Sequence, residues 1–373
     1  MMQILRACVI AAATASIAYT VFAASRLRAF KRRSAETADS GGGHALSVMK
    51  PLRGDEPHLY ENLRSLCAQD YPAFQVIFCA ADEHDPALVH ARRLQQEFPG
   101  RDIAIAAGNP GVCDNPKIAN LLGGIDLAKH EIVVIADSDT VTEPGHLRAL
   151  AACFADPQTG AASCLYFGEP NETVAARLGA MHVDEQFTPS VLVSAALSPV
   201  AFCLGAVMAV RRSVLEEIGG LPALGTHLGD DYMLGKLTAL RGHRVVLSNG
   251  AVRTRINERT VAGLLAREIR WARTIRAAQP AGFAGSILTH TLAWCAAALV
   301  TAPPAIGIPI AAAGAACRFL LKAPRSNAVL IPLRDALTLG VWCAAWLGQS
   351  VRWREANYAV SADGRLLSSR GDM

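Results

Sequence analysis

Apolar and polar positions divide the chain into three regimes. From Ala7 to Ser25 no residue is charged, and the run is just long enough to cross a bilayer. From about residue 46 the pattern changes to short β-branched runs. Leu46–Met49, Gln75–Cys79, Ile103–Ala106 and Ile132–Ile135 are expected strands, with residues 55–68, 86–98 and 116–129 as helices between them. Such alternation predicts an α/β fold with a mixed, mostly parallel, Rossmann-like sheet and helices on both faces. The third regime is lipid-like again. Gly285–Cys317 carries no charge and is split by Pro303-Pro304, which reads as two spans or one re-entrant hairpin. A further apolar stretch, Ala336–Val351, is closed by Arg352 and Arg354, so two or three C-terminal spans are expected.

These regimes set the expected boundaries: an N-terminal transmembrane anchor (1–27), a basic, glycine-rich linker (28–45) and an α/β catalytic domain (46–257). An interfacial amphipathic helix (258–282), C-terminal membrane segments (283–353) and a polar tail (354–373) follow. The basic cluster Arg26, Arg28, Lys31, Arg32 and Arg33 follows the first apolar run. By the positive-inside rule it stays in the cytoplasm, giving a multi-pass protein of the inner membrane whose α/β domain faces the cytoplasm. A cleaved signal peptide would carry its basic residues before the apolar run, although Ala23, Ala24 and Ser25 would suit cleavage.

Composition sharpens this picture. Apolar residues make up 51% and charged residues 18% of the 373, where soluble domains carry about a quarter charged. A net charge of +4 gives no argument for nucleic acid as a partner. The 10 cysteines form no CxxC pair and read as small buried hydrophobes in a reducing compartment.

The acidic residues carry the candidate chemistry. Asp82, Glu83 and Asp85 follow the second expected strand, and Asp137-Ser138-Asp139 follows the fourth. The D-x-D pair Asp137 and Asp139 puts two carboxylates on one side of an extended strand end and suits a hard cation, Mg²⁺ or Mn²⁺, that would bridge the diphosphate of a nucleotide-sugar; two acids in a loop can also be a helix cap or a solvated turn. Asp230 and Asp231 open an apolar helical pattern. They have two readings: N-terminal residues favoured by the helix dipole, or a general base for an attacking hydroxyl. Arg267, Arg270, Arg273 and Arg276 recur every three residues beside Trp271, just before the last apolar runs. That stripe reads as an interfacial helix for anionic lipid head groups, with Arg270 and Trp271 also available to a diphosphate and an acceptor. Residues 172–200, with Leu178, Met181, Phe187, Val191 and Leu192, are open between an apolar acceptor entrance and ordinary core, and His182 there is expected to be structural.

Taken in order, these motifs resemble the family 2 glycosyltransferases of GT-A fold, in their ceramide glucosyltransferase branch. The matching residues are Asp82/Asp85 in ADEHDPA, Asp137 in ADSD, Asp231 in GDDY, and Arg267-Glu268-Ile269-Arg270-Trp271 for the (Q/R)xxRW motif. Asn115–Asn120 is similar to that branch's NPKxxN segment. Asp139 departs from the glycine common there, which strengthens the metal reading. Within the branch, Cys164–Pro170, Phe187–Ser194 and Arg270–His290 resemble the bacterial hopanoid-biosynthesis glycosyltransferases. The resemblance implies inverting transfer of N-acetylglucosamine from UDP-GlcNAc to the terminal hydroxyl of bacteriohopanetetrol, with glucosylation of ceramide from UDP-glucose as the alternative. It assigns Asp231 as base and Asp82, Asp85, Lys117, Asp137, Arg270 and Trp271 to the donor. Asp230 and Arg267 are supporting residues, and Asp137 and Asp139 hold the cation. A processive polysaccharide synthase would need a larger membrane bundle. A nucleotidyltransferase would need a glycine-rich phosphate loop that Met49–Gly54 lacks. A scaffold without chemistry would not be expected to keep the acids and Arg270 intact.

Overall fold

The computed structural model describes residues 1–36, 43–108, 113–348, 350–353, 356–360 and 366–367; residues 37–42 of the expected linker and most of the expected tail lie outside these. The strands of the main sheet are β1 (Leu46–Pro51), β2 (Phe74–Ala80), β3 (Asp102–Ala107), β4 (Ile132–Ala136), β5 (Thr140–Val141), β6 (Thr159–Pro170), β7 (Val207–Arg211) and β8 (Arg244–Ile256); Ser350–Trp353, Ala356–Val360 and Leu366–Leu367 form a separate three-stranded sheet. The first helices are α1 (Met2–Glu36), α2 (Leu59–Cys67), α3 (Ala87–Glu97), α4 (Pro116–Leu122) and α5 (His146–Ala152). Then come α6 (Val174–His182), α7 (Thr188–Leu197), α8 (Arg212–Glu217), α9 (Asp230–Leu240) and α10 (Val261–Ala278). The last are α11 (Pro280–Gly285), α12 (Thr291–Thr301), α13 (Pro304–Arg318) and α14 (Ile331–Trp346). The chain divides into two units, one α/β (Arg32–Glu169 and Ser198–Arg255, with Gly364–Met373) and one helical (Met1–Lys31, Pro170–Leu197 and Ile256–Asp363).

All four expected strands are present, each one or two residues longer than the apolar pattern suggested. In the α/β unit the sheet order is β3-β2-β1-β4-β7-β6-β8-β5. β3, β2, β1 and β4 run parallel, β7 is antiparallel to both β4 and β6, and β5 is antiparallel to β8. The residues of β2 and β4 are buried throughout, as expected of parallel strands covered on both faces. Pairing of Met49 with both Ile77 and Ile135 brings the carboxyl ends of β1, β2 and β4 out at one edge. The helix expected over 116–129 stops at Leu122, because Gly123-Gly124 breaks it before a short 3₁₀ turn, Ile125–Leu127. Met49, Ile77, Ile118, Ile135, Met208 and Leu234 form the core that fixes this edge.

The helical unit departs from expectation at its start. Rather than ending at residue 27, α1 continues through the basic cluster to Glu36, since no glycine or proline interrupts that stretch of good helix formers. Among the described residues, three helices are long and apolar enough to cross a membrane: Met2–Ser34, Pro304–Leu321 and Ala328–Trp346. Pro280–Thr289 and Thr291–Thr301, bent by 58°, make a fourth if counted as one span. Pro303-Pro304 does split the apolar run: α12 ends before it, and Pro304 is the first residue of α13. α12 and α13 pack so closely that a β-carbon on Gly314 would lie 2.2 Å from Cys295 Sγ. Leu178 and Met181 of α6 pack against Leu264 and Ile331, and Val191 and Leu192 are also buried. Much of the 172–200 region is therefore core of this unit.

One ion pair ties these helices together. Glu268 on α10 and Arg334 on α14 are 1% and 0% exposed and share two hydrogen bonds, of 2.9 and 2.7 Å. Arg334 also donates to the Leu178 carbonyl of α6 at 3.3 Å. Removing one partner strands a buried charge, which typically costs about 3–5 kcal/mol, whereas removing both is far milder. Glu268→Leu or Arg334→Met should each lower the unfolding temperature in detergent sharply, and the double variant should recover most of the loss. Equal losses in all three variants would contradict this account.

Candidate active site

The D-x-D turn is set by β4 and held by a lysine inside the sheet. Pairing of Ala136 with Val207 lets Asp137 N–H donate to the Ala206 carbonyl at 3.0 Å. Lys50 of β1 is fully buried; its Nζ donates to the Asp137 carbonyl at 2.8 Å and to Thr140 Oγ1 at 3.0 Å. Thr140 Oγ1 in turn donates to the same Asp137 carbonyl at 2.7 Å. Burial, partly offset by Asp139 and Asp137, brings the Lys50 amine down to about 8. The sequence reading passed over Lys50, yet a lysine inside an otherwise apolar strand is a signal in itself, because an unpaired lysine is rarely buried.

Lys117 is delivered by the Asn-Pro-Lys segment. Asn115 caps α4, its side-chain oxygen accepting from Lys117 N–H at 3.0 Å and Ile118 N–H at 3.3 Å, with Pro116 at the first helical position. Its amide nitrogen donates to the His227 carbonyl at 3.0 Å, tying α4 to the loop before α9. Asn120 donates to the Leu52 carbonyl at 2.9 Å and holds the other side of α4 to the end of β1. Both asparagines thus act as braces for the lysine between them.

Lys117 Nζ lies 2.9 Å from Asp137 Oδ1 and 3.1 Å from Asp230 Oδ2. Burial opposes its charge, but Asp137 and Asp230 outweigh that and hold the ammonium above its ordinary range. Asp230 and Asp231 do open α9, in the first turn where the helix dipole favours acids, although the N-cap is Gly229 without a side-chain cap. A β-carbon on Gly205 would lie 3.2 Å from Asp231 Oδ2 and 3.7 Å from Asp137 Oδ2, so the two carboxylates flank that glycine. Gly205, like Lys50, was not singled out from sequence. Burial, and then the charge of Asp230, push the Asp231 carboxyl up to about 6, with Lys117 opposing.

Asp82 and Asp85 sit after β2, at the same sheet edge as Asp137. Asp85 Oδ1 accepts from Gly54 N–H and Ala87 N–H, both at 2.9 Å, so it braces the loop after β1 and the start of α3. Asp82 Oδ1 accepts from His84 N–H at 2.8 Å and is exposed. The Asp139 carbonyl accepts from Arg255 N–H at 3.0 Å on β8. Arg267, Arg270 and Trp271 lie on α10 of the helical unit. Arg267 pairs with Glu258 at 2.7 Å and stacks over Trp271 at 4.8 Å. Arg270 makes no ion pair among the described residues, and burial and then Arg267 bring its guanidinium down to about 10. Arg273 and Arg276 donate to the Leu347 and Gly348 carbonyls at 2.6 and 3.0 Å, so half of the basic stripe closes the end of α14. His182 is held by Gln186 at 3.0 Å.

Asp137, Asp230 and Asp231 outnumber Lys117, which leaves the cluster short of positive charge. Asp137 is 37% exposed, and its oxygens are the hard donors that Mg²⁺ or Mn²⁺ prefers. Among the described residues no three His, Cys, Asp or Glu side chains form a ready metal cage.

Comparison with known proteins bears on family and fold. The chain is 25% identical to ceramide glucosyltransferase 1 of Caenorhabditis elegans over 236 residues, 63% of this chain and 50% of that protein. It is 34% identical to the ceramide glucosyltransferase of Komagataella phaffii over 98 residues, 25% of this chain and 19% of that one. It thus spans about half the length of the nematode relatives it matches. Among solved structures it is similar to a mannosyltransferase from Pyrobaculum calidifontis in complex with GDP-Man and Mn²⁺, with TM-score 0.50 and 21% identity over 90% of this chain and 98% of that one. That likeness shows the GT-A fold. The motifs alone resembled family 2, whereas the family description that matches is numbered 21, and these relatives keep the ceramide glucosyltransferase branch. With residues 8–366 covered by that match, the chain belongs to glycosyl transferase family 21.

Proposed function

We propose that this protein transfers glucose from UDP-glucose to the hydroxyl of a ceramide-type membrane lipid, with inversion at C1. The observation that carries the reading is the convergence of Lys117, Asp137, Asp230 and Asp231 at the carboxyl edge of a GT-A sheet. The relatives above are ceramide glucosyltransferases, which favours ceramide and glucose over the hopanoid and N-acetylglucosamine expected from sequence. Hopanoid transfer is kept as a second reading on one observation, the Cys164–Pro170, Phe187–Ser194 and Arg270–His290 stretches.

In this mechanism Asp231 takes the proton from the acceptor hydroxyl as its oxygen attacks C1 opposite the departing UDP. A group brought near pH 6 suits that task better than an ordinary carboxylate, because it is ionised at pH 7 and more basic. Lys117 moves from its carboxylate partners toward the diphosphate as negative charge develops there. Asp137 and Asp139 would hold Mg²⁺ or Mn²⁺, which is commonly bound through one or two carboxylates plus substrate phosphates. When bound, the cation would neutralise the leaving diphosphate. Asp82 and Asp85 take the uridine end of the donor. Among the described residues, three helices long and apolar enough to cross a membrane suit an enzyme whose acceptor is a membrane lipid.

Purified protein assayed with UDP-glucose and UDP-GlcNAc, each against ceramide and bacteriohopanetetrol, should turn over fastest with UDP-glucose and ceramide. Product only from UDP-GlcNAc and bacteriohopanetetrol would select the second reading, and no UDP release with any pair would overturn both. Asp231→Asn should lose about 10²–10⁴-fold in kcat while donor binding survives. The wild-type rate should fall about tenfold per pH unit below about 6 and level off above it, since the base must be ionised. A rate independent of pH between 5 and 7 would remove Asp231 from that role. Chelation with EDTA should abolish turnover and added Mn²⁺ or Mg²⁺ restore it; undiminished activity after chelation would remove the cation.

A further inference from the structure

The helical unit encloses a polar cavity that the chemistry above does not use. It is lined by Tyr19 and Thr20 of α1, Gln186 and Ser190 near the start of α7, His290 before α12, and Arg318, Asp335 and Thr338 of α13 and α14. Its volume is about 30 Å³, room for about two waters or one small polar group. Such a cavity among helices apolar enough to cross a membrane needs a reason, since buried polar groups are costly unless satisfied.

Two of its groups have hydrogen-bonding capacity left over, although His290 meets the Trp342 ring edge-on. Arg318 is 4% exposed; it bonds Asp335 through Nε at 2.9 Å and Nη2 at 3.0 Å and pairs with Glu185 at 2.9 Å. Its Nη1 is buried and has no hydrogen-bond partner. His290 is 8% exposed, and its ring makes no hydrogen bond among the described residues. Glu185 Oε2, also in the wall, is buried and accepts no hydrogen bond; Tyr19 is paired with Ser190 at 2.7 Å, Thr20 with Thr291 at 2.7 Å and Gln186 with Asp335 at 2.9 Å. The wall therefore offers a charged donor lacking an acceptor, an imidazole that can give or take, and hydroxyls that can turn.

The charges narrow the occupant. Arg318 faces two carboxylates, Glu185 and Asp335, so the cluster already carries one negative charge more than positive, and a phosphate would be repelled. A neutral group with both an oxygen acceptor and an N–H or O–H donor satisfies Arg318 and His290 together; that is an amide or a hydroxyl. Depth narrows it further. Arg318 ends α13 and Asp335 lies in the first turns of α14, so the cavity sits where two candidate spans end. On α1, Thr20 precedes the basic flank at Arg26 by roughly 9 Å along the axis. That is the level at which the polar part of a lipid meets its chains.

We infer that this cavity binds the neutral amide or hydroxyl head group of a membrane lipid, with Arg318 and His290 as its recognition pair. The choice of ceramide as the probe rests on the acceptor reading given above. The test places the full chain in phosphatidylcholine nanodiscs with a ceramide carrying a diazirine beside its amide, followed by irradiation and peptide mapping. Labels are expected on the peptides holding Tyr19, Ser190 and Thr291, displaced by unlabelled ceramide. Their yield should drop at least fivefold in His290→Leu, which removes one member of the recognition pair and leaves the Arg318 cluster intact. Labelling confined to outward-facing Leu299, Val300 and Ile308, or cavity labelling unaltered by His290→Leu, would overturn the inference and leave a water-filled cavity. UDP release measured on the same nanodiscs separates the two ideas: cavity labelling without turnover counts against glycosyl transfer alone.

Discussion

A single ammonium shared between carboxylates organises the α/β unit. Lys117 sits within 3.1 Å of both Asp137 and Asp230, and every local feature around it keeps that arrangement in place. Asn115 and Asn120 fix its helix, Lys50 clamps the turn that carries Asp137, and Gly205 leaves room between Asp137 and Asp231. Without the lysine, three acids in one buried cluster would repel one another and take up protons. With it, the three acids still outnumber the ammonium. Asp231, raised to about 6, is the member poised to exchange a proton near neutrality.

The sheet and most of this cluster were legible from the chain alone, for identifiable reasons. Parallel strands buried on both faces read as unbroken apolar runs, and acids immediately after such runs mark the ligand edge. Asp137, Asp231 and the Asn-Pro-Lys segment were singled out as candidates because their neighbours marked them. Lys50 and Gly205 were not. Their importance depends on β1 and β7 flanking β4, a pairing that no local pattern specifies. The short α4 was mis-sized because an apolar run continued past Gly123-Gly124, where the backbone could not stay helical. The long α1 was cut short because charge was taken as an end signal, although Arg and Lys are good helix formers.

The helical unit shows a related limit. Periodicity and charge found the apolar helices, and Pro303-Pro304 correctly divided one run. The partners of the polar residues among them were invisible. Glu268 lies inside the same Arg267–Trp271 motif as Arg270, yet its carboxylate is spent on Arg334. Arg273 and Arg276 looked like a lipid-facing stripe, yet they bond carbonyls at the end of α14. One basic motif therefore divides into a structural part, Glu268, Arg273 and Arg276, and a part that keeps its charge available, Arg270. Spacing on a helix says which residues share a face, but only packing says which of them are already occupied.

The central claim is that the carboxylate and lysine cluster is a nucleotide-diphosphate site. Calorimetric titration of UDP into the full chain in detergent, with and without Mn²⁺, tests it most directly. The account predicts Mn²⁺-dependent binding that weakens at least tenfold in Asp137→Asn and in Lys117→Met, while Glu143→Gln, an exposed acid outside the cluster, binds like the wild type. UDP affinity unchanged in both cluster variants would contradict it.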